Sequence, residues 1–200
     1  LDIWNQEATG SSAYGRLRIE LDNGAPSTPF KATYRSGSAG LIDAYLGGDN
    51  STRAKIEENN WNHYAITFLS SSNSMTAELY VNGALEDTTS SVGSINEITG
   101  TTLTAYIGAL QATVEDTSAP GTTSGGKGWG KLSASLDEFR YWKTARTGRG
   151  IGRNYWTQVR GGTNTDDANT DLGVYFKFNE GITGDTDTDS TVLDYSGRVS

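Results

Sequence analysis

The stretch YGRLRIEL, residues 14–21, alternates: Leu17, Ile19 and Leu21 fall on one side, Arg16, Arg18 and Glu20 on the other. A period of two marks a half-buried strand. FKATYR (30–35) and GLIDAYL (40–46) follow as further short runs separated by Ser and Gly. WNHYAITFL (61–69) is apolar on both faces, which predicts a strand in the middle of a sheet. In MTAELYVNGALEDTT (75–89), Met75, Ala77, Leu79 and Val81 share one side. There Asn82-Gly83 stands where a two-residue turn needs positive φ at both positions, so the segment predicts a β-hairpin.

LTAYIGA (103–109) reads as another short strand, and residues 115–130, EDTSAPGTTSGGKGWG, as a long loop. KLSASLDEFRYW (131–142) resumes an extended pattern. One helical pattern occurs, GIGRNYWTQV (150–159), with Ile151, Tyr155 and Val159 at four-residue spacing. Its nearby glycines predict a short helix near 148–160. RGGTNTDDANTD (160–171) has the composition of a linker, and LGVYFKF (172–178) reads as a strand.

The chain has 200 residues, 34% of them hydrophobic, with 25 Gly and three Pro. Short aromatic or β-branched runs divided by Ser, Thr, Asn and Gly are the signature of an all-β chain, so a sandwich or barrel is expected. The absence of cysteine excludes disulfides, thiolate zinc sites and a cysteine nucleophile. The single histidine, His63, leaves little for a Ser-His-Asp triad or an imidazole zinc site, and beside Trp61 it reads as a satisfied strand histidine. Any metal is therefore expected to be a hard cation on oxygen ligands.

Formal charge is −8, of which residues 161–200 carry −6 and the first 160 only −2. This balance disfavours nucleic acid as a partner, since no basic stripe offsets it. No apolar run has the length of a membrane span, so insertion into a bilayer is not expected. The chain opens on Leu1 in mid-pattern, LDIWNQEATG, and is read as a piece of a longer protein.

SLDEFRYW (135–142) sets Asp137 and Glu138 side by side among large apolar residues. A glycosidase needs two carboxylates aimed at one bond, whereas neighbours on a strand point to opposite faces. An E-x-D-x-x-E strand, which would place alternate carboxylates on one face, occurs nowhere in the chain. Glu138 and Arg140 share a face and are expected to neutralise each other. DTDTDS, Asp185 to Ser190, resembles the start of an EF-hand loop, but Ser190 and Ser196 stand where that loop wants Gly and Glu. Asp185, Asp187 and Asp189 are thus calcium candidates set against a solvated acidic turn. Asp194, in DYSG, is expected to cap its own turn.

The order WNHYAITF, AELYVNG, AYIGA, then SLDEFRYWKTART with a short amphipathic helix resembles the second half of a laminin G-like jelly roll. That module belongs to the concanavalin A-like lectin and glucanase superfamily. The resemblance implies an all-β, antiparallel two-sheet jelly-roll β-sandwich with one short helix. VYFKFNEGITG with LDYSG is similar to the opening strand and first turn of such modules. The implied organisation is a jelly roll over 1–162 lacking its first strands, a linker over 163–171, and the opening segment of a second module over 172–200; the alternative is that Val174, Phe176 and Phe178 fold back and pair into the first sandwich. In relatives the aspartate matching Asp137 can ligate a structural Ca²⁺ away from the sugar groove, so Asp137 is either a calcium ligand or a carboxylate held by backbone N–H groups. Trp129, in the Gly-rich loop, is either a stacking platform for a sugar ring or packed on the sandwich.

Two function classes follow from the resemblance. One is a non-enzymatic, lectin-like module for glycan recognition or adhesion. The other is a structural module of a large assembly, as in the tandem repeats of tailed-phage virion proteins and bacterial adhesins. A remote glucanase-like hydrolase is the disfavoured third. The expected partners are a cell-surface glycan or neighbouring virion or adhesin subunits, with tandem modules or a homo-oligomer, in an extracellular or virion setting.

Overall fold

The computed structural model describes residues 1–8, 10–22, 24–98, 102–111, 130–159, 171–180 and 192–196. They divide into two compact units, Leu1–Leu132 and Ser133–Ser200. The first unit is an antiparallel β-sandwich. One sheet holds β1 (Asp2–Trp4), β2 (Gly15–Leu21), β3 (Phe30–Ser36), β4 (Ala39–Leu46) and β8 (Thr104–Tyr106), in the order β4-β3-β2-β1-β8. The other holds β5 (Tyr64–Ser70), β6 (Ser74–Val81) and β7 (Ala84–Val92), in that order. Met75, Ala77, Leu79 and Val81 of β6 are buried against Phe30, Ala32, Leu41 and Leu46 of the facing sheet, with the alternation the sequence predicts. Phe30 meets Tyr64, and Tyr34 meets Phe68, with ring centroids 5.2 Å apart in each pair. The architecture is the expected all-β jelly roll.

The hairpin forms as its turn chemistry requires. Asn82 (φ 48°) and Gly83 (φ 82°) both sit in the left-handed region and close Val81 onto Ala84. β5, expected in the middle of its sheet, lies at one end of it: among the described residues β6 is its ladder partner. Its second apolar face is a matter of packing, since Tyr64, Ile66 and Phe68 line the core while Thr67 on the opposite side is also buried. His63 precedes this strand rather than lying in it.

The polar side of β2 is the larger departure from expectation. Arg16 and Arg18, read as the solvated face, are 1% and 2% exposed. Arg16 grips Asp2 through two bonds, Nε to Oδ1 at 2.9 Å and Nη2 to Oδ2 at 2.7 Å, and its guanidinium lies 4.0 Å from the Trp4 ring centroid. Gln111 donates its backbone N–H to Asp2 Oδ2 at 2.9 Å, so the carboxylate is satisfied from two directions. Burial works against the Arg16 charge, but bonding and attraction to Asp2 outweigh it, and its pKa is raised. A β-bulge opposite Thr33 puts Asp43 at φ 48° and turns its carboxylate to within 3.5 Å of Arg18 and 3.4 Å of Lys31.

The second unit pairs β9 (Phe139–Trp142) with β10 (Leu172–Phe176), antiparallel, Phe176 opposite Phe139 and Tyr175 opposite Arg140. The strand expected over 131–142 is therefore confined to its last four residues. Glu138, at φ 54°, leaves the extended region and ends it. The helix, Gly148–Asn154, is also shorter than its pattern. Thr147 caps it by accepting the Gly150 N–H at 3.2 Å, and Tyr155 is already its C-cap. Asp194 caps its own turn as expected, accepting the Ser196 N–H at 2.9 Å, and also takes the Tyr175 N–H at 3.0 Å.

Candidate functional site

A cleft of about 310 Å³ opens beside the Asn82-Gly83 turn, lined by polar side chains from three separate segments. The first segment is a 3₁₀ turn, Asp49–Ser51, that runs into α1 (Arg53–Ile56) and supplies Asn50, Lys55 and Glu58. The second, leading into β5, supplies Asn62, and the third is the hairpin itself, with Val81, Asn82 and Ala84.

Backbone groups fix the orientation of the amides. The His63 N–H donates to Asn82 Oδ1 at 2.9 Å, while the Asn82 N–H returns to the His63 carbonyl at 2.8 Å. With its oxygen committed, Asn82 must turn Nδ2 outward, where it donates to Asn62 Oδ1 at 3.0 Å. Asn62 in turn directs Nδ2 toward the Asn60 carbonyl, 3.5 Å away. The opposite wall is fixed by a bulge in β7. Leu79 pairs with Asp87 and Tyr80 with Leu85, which leaves Glu86 as the extra residue. The bulge aims its carboxylate at Asn50, whose N–H and Nδ2 it accepts at 2.7 and 2.6 Å. Gly48 permits the approach, because a Cβ there would stand 2.4 Å from Glu86 Oε1.

Lys55 Nζ donates to Asn50 Oδ1 at 3.3 Å. The Glu58 carboxylate has no hydrogen bond or ion pair among the described residues, and with burial it pushes the Tyr64 phenol up, burial being the larger cause. Trp61 immediately precedes Asn62 and is 71% exposed. The wall thus offers N–H donors, one unengaged carboxylate and the exposed Ala84 methyl, with an exposed indole next to it in sequence. Such a mixture suits a ligand that carries hydroxyls and carbonyls on an apolar ring.

The residues singled out from the sequence lie elsewhere. Asp137 Oδ1 accepts the Glu138 N–H at 2.9 Å, and among the described residues no three His, Cys, Asp or Glu side chains gather to hold a metal. Asp185, Asp187, Asp189 and Trp129 lie outside the described residues. Glu138 and Arg140 do pair, at 2.9 Å, and Tyr175 donates its hydroxyl to the same Glu138 oxygen. Burial, then that bond, pushes the Tyr175 phenol up to about 12. No sequence motif pointed to the cleft. Asn82 was legible only as a turn residue, and Trp61 and Asn62 only as members of the strand expected over 61–69, which begins instead at Tyr64.

The family model for the concanavalin A-like lectin/glucanases superfamily matches residues 4–152. No curated protein and no solved structure matches the chain.

Proposed function

The chain belongs to the concanavalin A-like lectin/glucanase superfamily, and on that premise we propose that it is a lectin-like module that binds a glycan in the Asn62–Asn82 cleft without cleaving it. The observation that carries this reading is the composition of the cleft wall, where amide donors, Lys55 and Glu58 stand beside the exposed Ala84. Hydroxyl-rich ligands are held by such side chains in directed hydrogen bonds, while an indole such as Trp61 packs on the apolar face of a sugar ring.

Hydrolysis is disfavoured by the same set. Glycoside cleavage takes a pair of carboxylates about the scissile bond, and the cleft wall presents one unengaged carboxylate, Glu58, since Glu86 is occupied by Asn50. The setting that fits is a cell or virion surface, with the partner a surface glycan. A glycan array probed with the protein should return a consistent set of saccharides, and incubation with them should release no reducing ends. Reducing ends that appear with the wild type and vanish in Glu58→Gln would make it a hydrolase, and an array without signal would refute the binding reading.

A further inference from the structure

We propose, resting on that reading, that the cleft selects saccharides bearing an acetamido group over the same saccharides bearing a hydroxyl or a free amine. The argument is an inventory of what the cleft leaves unused. An asparagine side chain has two N–H donors. Asn82 spends one on Asn62 Oδ1, and Asn62 spends one on the Asn60 carbonyl, so each amide retains one N–H. Neither amide can flip to offer its oxygen instead, because the His63 backbone N–H holds Asn82 Oδ1 and Asn82 in turn holds Asn62 Oδ1.

The surplus on this side of the cleft is therefore donors, and they call for a strong acceptor. Glu58 supplies the converse, a carboxylate with no partner among the described residues, which calls for an N–H. Ala84, exposed just after the turn, calls for an apolar group of modest size. An acetamido substituent carries all three features: a carbonyl acceptor, one N–H donor and a methyl group. A hydroxyl is a weaker acceptor and leaves the apolar wall bare. A free amine, protonated at neutral pH, would satisfy Glu58 but bring only donors to Asn62 and Asn82.

The test is calorimetric titration with three oligosaccharide series of equal length and linkage: N-acetylglucosamine oligomers, their deacetylated forms, and glucose oligomers. The wild type should bind the acetylated series at least about tenfold more tightly than either other, equivalent to about 1.4 kcal/mol. Glu58→Ala, at an exposed position with no hydrogen bond or ion pair among the described residues, should reduce that ratio to below about threefold. Asn62→Asp keeps the oxygen that Asn82 donates to and replaces both N–H donors with a charged oxygen, at the loss of the bond to the Asn60 carbonyl. It should reverse the preference toward the deacetylated series while the protein still unfolds cooperatively. Equal affinity for acetylated and glucose oligomers would overturn the acetamido proposal while leaving glycan binding intact. Absence of binding to all three series, and to every array saccharide, would overturn both.

Discussion

Asp2→Ala should destabilise the sandwich far more than its position at the end of a three-residue strand suggests. Asp2 accepts Arg16 Nε at 2.9 Å, Arg16 Nη2 at 2.7 Å and the Gln111 N–H at 2.9 Å, and both side chains of the ion pair are almost wholly excluded from solvent. Truncation strands a guanidinium that water cannot reach, a change that costs about 3–5 kcal/mol in buried pairs. For a chain of this size each kcal/mol corresponds to roughly 2–4 °C in melting temperature, so a fall of roughly 6–20 °C is expected. Replacing both partners, Asp2→Leu with Arg16→Met, removes the unpaired charge and should recover part of the loss. What remains is the Arg16 contact with the Trp4 ring, worth about 0.5–2 kcal/mol, and the Gln111 N–H left without its acceptor, which costs about 1–3 kcal/mol. Urea unfolding followed by tryptophan fluorescence reads both variants. A loss below about 1 kcal/mol for Asp2→Ala would mean the pair is solvated and the burial argument wrong. A double variant as damaged as the single would mean that shape, not unpaired charge, sets the cost.

Gly83→Ala places a Cβ at φ 82° and should cost about 1–2 kcal/mol in chemical denaturation, where a neutral result would contradict the left-handed turn. Burial, then the bond to Glu78, pushes the Tyr80 phenol up to about 12, and Tyr175 is likewise raised to about 12. Both favour the neutral phenol in the fold, so their contribution is fully present below pH of about 10 and is lost as pH rises toward 12. Phenolate absorbance should place Tyr80 and Tyr175 among the late-titrating tyrosines, and the latest part of the titration should be lost in Tyr80→Phe with Tyr175→Phe. Truncation after Gly162 removes buried Leu172 and Tyr175 and unpairs β9, so a loss of several kcal/mol is expected. A negligible loss would instead favour residues 172–200 as the start of a second module.

What the sequence disclosed was local. The hairpin followed from Asn82-Gly83 and from Met75 to Val81, because turn chemistry and a two-residue period act over a few positions. The burial of Arg16 could not be read in the same way. Its alternation with Leu17 looks solvated, and the burial is made tolerable by Asp2, itself held by Gln111 from 109 residues away, and by the Trp4 ring. Glu138 ended β9 by a left-handed backbone that no propensity marks, so a strand drawn through SLDEFRYW was too long. The cleft was hidden for a related reason. Asn50 and Glu58, Asn62, and Asn82 come from three separate segments, and the bulge that aims Glu86 at Asn50 is a product of the β6–β7 register. Trp61 and Trp129 are alike as letters, and the exposure of Trp61 follows from where the chain enters β5.

The central claim, that the cleft beside the hairpin turn holds a sugar and leaves it intact, is tested most directly by nuclear magnetic resonance on the isotope-labelled protein, titrated with the best saccharide of the array. The account predicts that side-chain amide signals of Asn62 and Asn82 and the indole signal of Trp61 shift together at one saturable concentration, while the sugar's anomeric signals show no hydrolysis over the same period. Shifts confined to other parts of the sandwich, or new reducing-end signals from the sugar, would contradict it.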